Sequence, residues 1–274
     1  MKLALALMLG GAACAATAAD APKPLISSAA VTVTLEPGPT PMNLPLETNT
    51  EGNPMIHPRW ALTIDASGRV TSLESIGDPP VDAVRAPLET AIRGWHFQPG
   101  TIDGKPVETK TTFSLDLSFV EHGSDKFALR VDDARTGADL TFDGFHHSTP
   151  KYPSDAMSHH RDGIVVLRVD FDASGHVVAT RLADGAPEVG ESFVRSARDA
   201  ARRWTFSTEI VGGHGLAGST IVPICFSDYT RKTPQEVPRC AWTPPAGHGS
   251  LGNGAIVAID PAARLETAVV GRTL

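Results

Sequence analysis

The sequence predicts an α+β fold built from two ββαβ units in one chain. Three observations carry that prediction. A block is written twice: Trp60-Ala-Leu-Thr-Ile-Asp65-Ala-Ser-Gly68-Arg-Val70 returns as Val166-Leu-Arg-Val-Asp170-Phe-Asp172-Ala-Ser-Gly175-His-Val177. Each copy alternates apolar and polar residues before its Asp-Ala-Ser-Gly, as a half-buried strand does, and resumes an extended pattern after it. Each then changes to an apolar spacing of three and four that runs to Trp95 and Phe97 in the first copy and to Trp204 and Phe206 in the second. A repeat of this length is a duplicated unit, since solenoid modules recur every few tens of residues.

The chain opens as a secretory signal: Met1-Lys2, then Leu3-Ala-Leu-Ala-Leu-Met-Leu and an alanine-rich stretch with small residues at the two positions a signal peptidase reads. Cleavage after Ala18 or Ala19 assigns 1–19 to the signal and starts the mature chain near Asp20. The apolar stretch from Leu3 to Ala19 is shorter and richer in alanine than the about 20 strongly apolar residues of a spanning helix, so a retained membrane anchor is the alternative reading. Lipidation at Cys14 is disfavoured because Gly11 stands where a lipidation signal carries leucine. Residues 20–57 form a proline-containing segment with Pro37, Pro39, Pro41 and Pro45.

Residues 58–120 make the first unit. Asp65 can cap the hairpin turn and Gly68 tolerates positive φ there. Val84, Leu88, Ala91, Ile92 and Trp95 mark one face of a helix, in which Pro87 fits the first turn, where its missing N–H does no harm. Thr111-Thr-Phe113-Ser-Leu115-Asp-Leu117-Ser-Phe119 alternates cleanly as the last strand. A connecting segment, 121–148, carries short strand patterns at 127–131 and 139–142.

In the second unit, 149–228, Val165, Leu167, Val169 and Phe171 lead into the turn at Asp172. Phe193, Ala197, Ala200, Ala201 and Trp204 form the helix face, and Thr220-Ile221-Val-Pro223-Ile224-Cys-Phe226 is the last strand. Residues 229–274 are a proline-rich tail in which Val257-Ala-Ile-Asp260 faintly echoes Leu62-Thr-Ile-Asp65. That echo is expected to form a hairpin or a single strand over a sheet edge.

Removal of Cys14 with the signal leaves Cys225 and Cys240, an even pair expected to form a disulfide in an oxidising compartment, contributing about 3 kcal/mol by loop entropy. The net charge of −7 opposes nucleic-acid binding, which needs clustered positive charge. His146, His147, His159 and His160 form the densest polar cluster. Adjacent residues on a strand or helix point apart, so neither pair builds a metal site, and a metal- or small-ligand-binding envelope protein is a second alternative. Asp170-Phe-Asp172-Ala-Ser-Gly175 opens like a calcium loop but has Arg181 where a bidentate glutamate belongs. No nucleophile-elbow or phosphate-loop motif appears, so no catalysis, metal or cofactor is expected.

Pro150-Lys-Tyr152-Pro153-Ser-Asp-Ala156, followed by Gly163-Ile-Val, the Asp172 turn, Arg202-Arg-Trp204-Thr-Phe206 and a final apolar strand, resembles the TonB C-terminal domain over about Thr149 to Ser227. About Pro58 to Phe119 is similar to a diverged member without the Tyr-Pro motif. The resemblance implies, for each unit, a helix over one face of a three-stranded antiparallel sheet, in the periplasm of a Gram-negative bacterium. It also implies a protein or peptide partner, such as an extended segment of an outer-membrane transporter, adding as a strand beside the last strand. The partner-binding residues expected on that basis are Thr111, Phe113, Leu115, Leu117, Tyr152, Pro153, Thr220, Ile221 and Ile224. Pro223 removes a donor from the second unit's last strand, so the first unit offers the cleaner edge unless the connecting segment or the C-terminal hairpin already occupies it, and Leu115→Pro is expected to abolish capture. The long charged proline spacer of TonB has no counterpart, which favours a binding or assembly module over a membrane-anchored energy transducer.

Overall fold

The computed structural model describes residues 32–33, 48–49, 51–77, 82–122, 127–141, 148–227, 242–243 and 255–274. The signal, Cys14, Cys240, His146 and His147 lie outside the described residues. The chain is mixed α and β, mostly strand, with antiparallel pairing throughout.

The elements begin with β1 (Thr32–Val33), β2 (Met55–Ile56), β3 (Arg59–Ile64) and β4 (Val70–Ser75), then α1 (Asp82–Arg93). β5 (Phe97–Gln98), β6 (Thr101–Ile102) and β7 (Lys105–Pro106) are short, and β8 (Thr109–Glu121), β9 (Phe127–Gly137) and β10 (Asp139–Leu140) come next. The second half opens with α2 (Ser154–Ser158), β11 (Gly163–Phe171), β12 (Val177–Leu182) and α3 (Glu191–Ala201). It continues through β13 (Phe206–Ser207), β14 (Ile210–Val211), β15 (His214–Gly215) and β16 (Gly218–Phe226) to β17 (Val257–Ala258) and β18 (Arg264–Leu265).

The repeated motif has one local cause in both halves. Asp65 Oδ1 accepts from the N–H groups of Ser67 (2.8 Å) and Arg69 (3.1 Å), and Asp172 Oδ1 accepts from those of Ser174 (2.9 Å) and His176 (3.0 Å). Gly68 and Gly175 both sit at φ 85°, open to glycine at little cost. Each turn then docks on the segment after the helix: Phe97 N–H donates to Gly68 O (2.9 Å) and Phe206 N–H to Gly175 O (2.8 Å). A methyl group on Gly175 would stand 2.0 Å from Phe206 O, so only glycine permits the approach. Turn and Trp-x-Phe segment therefore recur together because they are one contact.

Each helix supplies one face to a core. Val84, Leu88 and Ile92 pack with Trp60, Leu62, Ile64, Phe113 and Leu115. Phe193, Ala197 and Ala201 pack with Val165, Leu167, Val169, Phe171 and Val222. Pro87 lies inside α1 and not in its first turn, because the helix starts five residues earlier at Asp82. There it removes the donor that would have bonded the carbonyl of Ala83. Trp95 and Trp204 lie just past the helix ends. Trp204 is buried, with its indole N–H donating to Ser148 O (3.1 Å).

The sheets exceed three strands. β3 pairs with β4 on one side and β8 on the other, and β8 also pairs with β9, β2 and β14. The second sheet runs β12-β11-β16-β17. The patterns at 127–131 and 139–142 thus belong to an eleven-residue strand, β9, and to β10. β17 and β18 do not pair with one another: β17 joins β16, whereas β18 joins β5 in the other half.

Candidate functional site

Strand addition needs an edge with unpaired backbone groups, so the expected docking depends on what already pairs with each repeat's last strand. β8 fails this requirement. Its residues from Thr109 to Ser114 pair with β3, and on its other side ten residue pairs, from Thr112 with Gly137 to Glu121 with Phe127, join it to β9. Phe113, Leu115 and Leu117 are fully buried and Thr111 is buried, its hydroxyl donating to Glu209 Oε1 (2.8 Å). The expectation that the first unit offers the cleaner edge is therefore corrected: the connecting segment fills that edge. Leu115→Pro would break the core, not test a partner.

β16 is placed differently. Its inner side pairs with β11 along all nine residues, Gly163 opposite Phe226 to Phe171 opposite Gly218. On its outer side, among the described residues, only β17 pairs with it, through Ile221 with Val257 and Thr220 with Ala258. Ile259 N–H also donates to Ser219 O (2.9 Å), which fixes Ser219 as outward-facing. The alternation of an antiparallel ladder then turns the backbone groups of Ile221, Pro223 and Cys225 outward as well. Those of Thr220, Val222 and Ile224 face β11. Thr220, Val222 and Ile224 are buried, so of the expected contact residues in this strand only Ile221 presents its backbone to the outer side. Cys225 is disulfide-bonded, and its expected partner Cys240 lies outside the described residues.

Tyr152 and Pro153 stand beside this strand. The Tyr152 ring packs edge-on against Phe193 (5.9 Å) and Phe226 (6.1 Å), and its hydroxyl donates to Arg161 O. Pro153 precedes the first turn of α2, and Met157 N–H donates to its carbonyl (2.9 Å). The Tyr-Pro motif thus clamps the chain onto α3 and the end of β16. His159 and His160 are exposed, with His159 Nδ1 2.8 Å from Asp155 O.

Asp170 borders the outer edge from the other face. It accepts from Ser219 Oγ (2.5 Å), Arg168 (3.3 Å) and Arg181 (3.2 Å). Burial would raise its carboxyl, but the Ser219 hydroxyl and the two guanidinium groups outweigh that and hold it below the ordinary aspartate value. The carboxylate therefore orders the strand at Ser219, whose carbonyl accepts from Ile259, the residue next after β17.

Sequence reasoning missed the groups that bring β17 here. Glu209, buried in the loop after β13, accepts from Thr111 Oγ1, Ala262 N–H (2.6 Å) and Ala263 N–H (3.1 Å). Gly137 closes β9 at φ 126°, and a methyl group there would lie 2.3 Å from Ala258 Cβ. A single glutamate and a single glycine carry no periodic signal; the one usable hint was the faint Val257-Ala-Ile-Asp260 echo.

Residues 148–227 match the family of the Gram-negative bacterial TonB protein C-terminal. Two proteins named TonB from Xanthomonas campestris pv. campestris, strains B100 and ATCC 33913, are each 35% identical over 91 residues, which is 33% of this chain and 40% of theirs. The chain thus spans about two fifths of the curated relatives it matches. No solved structure matches. No helix among the described residues is long and apolar enough to cross a membrane, and none of them form a group of three or more metal-ligating side chains. Residues 148–227 accordingly form a domain of the TonB C-terminal family.

Proposed function

We propose that this chain is a non-catalytic periplasmic binding module, delivered by a cleaved signal at 1–19, that captures an extended segment of an outer-membrane protein along the outer edge of β16. The observation that carries the reading is the contrast between the two last strands. β8 has a ten-pair ladder on its outer side, whereas the described pairing on β16 stops after two residue pairs. β9 on β8 shows within this chain what a strand added to such an edge looks like. Residues 58–120 then act as a second, diverged TonB-C-like unit whose edge is spent internally, and 149–228 as the unit that binds. Strand addition suits a partner with little secondary structure of its own, because backbone groups supply the affinity and alternate side chains the selectivity.

The test replaces Ile221 by proline. Ile221 faces outward, so Ile221→Pro removes a donor from the receptor edge and leaves the ladder to β11 intact. Native chain incubated with envelope extract should retain an outer-membrane barrel protein, identified by mass spectrometry and released by a synthetic peptide of its periplasm-facing terminus. Ile221→Pro should retain none. Equal retention by both proteins would refute strand addition at β16.

A further inference from the structure

The outer edge of β16 already carries a strand from this chain. Val257 stands opposite Ile221 in β17, only 3% exposed, and packs with Val166, Ala183 and Trp242. Ala258 stands opposite Thr220 and turns toward Gly137 of β9, where even one added methyl would come within 2.3 Å of its Cβ. β17 is therefore wedged between the two halves. One side chain fills an apolar pocket and the next meets a backbone that admits only a small group.

The chain beyond β17 is anchored independently of it. Glu209 holds the N–H groups of Ala262 and Ala263, and Thr136 Oγ1 donates to Ala263 O at 2.5 Å. β18 pairs with β5, and the last residues bond β9: Gly271 N–H to Val131 O (2.8 Å), Val131 N–H to Arg272 O (2.9 Å) and Leu274 N–H to Leu129 O (2.7 Å). Ala263 and Val269 are buried in the first core. β17 by contrast has two paired residues, against ten pairs for β9. It can leave β16 while the segment beyond Pro261 stays in place.

We propose that β17 is an internal occupant of the receptor edge of β16, that an external strand takes the edge by displacing it, and that this strand carries an aliphatic residue where Val257 stands and alanine or glycine where Ala258 stands. The proposal rests on the strand-addition reading and names the side chains which that site selects. The chain's own tail then sets the threshold for capture: a strand that pairs over more of β16 than two residues wins, and a shorter one does not.

The probe is a fluorescein-labelled synthetic peptide with the sequence of residues 253–262, measured by anisotropy on the full chain and on two variants with native circular dichroism. Val257→Asp places a charge in the apolar pocket, and Ala258→Phe in the chain itself drives β17 away from Gly137 without altering β16 or the surroundings that the probe must enter. Both should bind the probe about tenfold more tightly than the native chain, the factor expected if the edge stands open about a tenth of the time. A peptide carrying Ala258→Phe should bind none of the three. Equal binding by the native chain and both variants would overturn β17 as an occupant while leaving strand addition standing. Undiminished binding of the Ala258→Phe peptide would overturn the side-chain rule. No binding by any of the three would overturn the proposal, and capture by Ile221→Pro in the earlier experiment would then judge strand addition separately.

Discussion

Asp116 concentrates the chain's buried charge. It lies on β8 with His57 Nδ1 at 2.7 Å and the Arg135 guanidinium at 2.6 and 2.8 Å, and Arg135 also reaches Asp133 at 2.6 Å. Burial alone would raise the Asp116 carboxyl, but the hydrogen bonds from His57 and Arg135 outweigh it and hold the group far below the usual carboxylate range. A carboxylate held low in the folded state contributes stability that is fully present above its unfolded value of about 4 and is lost as pH falls toward its folded value. Urea unfolding midpoints should therefore decline as pH is lowered from about 4. Asp116→Asn should flatten that decline and, at neutral pH, cost about 3 kcal/mol by leaving Arg135 buried beside a neutral amide. The same acid slope in both proteins would place the dependence on other groups.

At the level of elements, β12 and β16 show two ways of managing a sheet margin. Among the described residues β12 pairs only with β11, and it carries a register shift opposite Asp170 and Phe171 that bends its outer side, a device that discourages pairing with another chain. β16 stays regular through nine residues and is moderated by Pro223, whose backbone faces outward, so its missing donor is subtracted from the receptor edge and not from the ladder to β11. Pro223→Val should add one outward N–H and tighten an external strand by about 1 kcal/mol, roughly fivefold. The residue 253–262 peptide measures this on the Val257→Asp background, where the edge is open. Unchanged affinity would mean that the added strand stops short of Pro223.

On the scale of the whole molecule, strand pairing among the described residues joins the halves through β14 on β8, β13 on β10, and the tail that begins on β16 and ends on β9. Glu209 lies where they converge, one carboxylate serving a hydroxyl of β8 and two backbone donors of the tail. Glu209→Ala would leave Thr111 Oγ1 and the N–H groups of Ala262 and Ala263 without that acceptor, at a cost of about 2–4 kcal/mol given 1–3 kcal/mol for each buried orphan and partial relaxation. Amide exchange should accelerate at Ala262, Ala263 and Gly271–Leu274 before it does in β11 or β16. Uniform acceleration through both halves would show that the tail is no separate latch.

The mixed helix-and-strand character with antiparallel pairing, the two turns, both helices and the cores around Trp60 and Trp204 were legible from the residues, because a strand's alternation, a helix's spacing of three and four and the chemistry of an Asp-Ala-Ser-Gly turn are set within a few neighbours. The resemblance of 149–227 likewise survived comparison, since it rested on such local features in a fixed order. Which last strand is an edge was not legible. Thr111 to Phe119 reads as a clean margin strand, yet β9 covers it, and Thr220 to Phe226 reads as blunted, yet β9 has no counterpart of similar length on it among the described residues. Edge occupancy is a long-range pairing between segments whose own patterns are compatible with many partners. Only the packed molecule, in which Gly137, Glu209 and the tail find one another, selects among them.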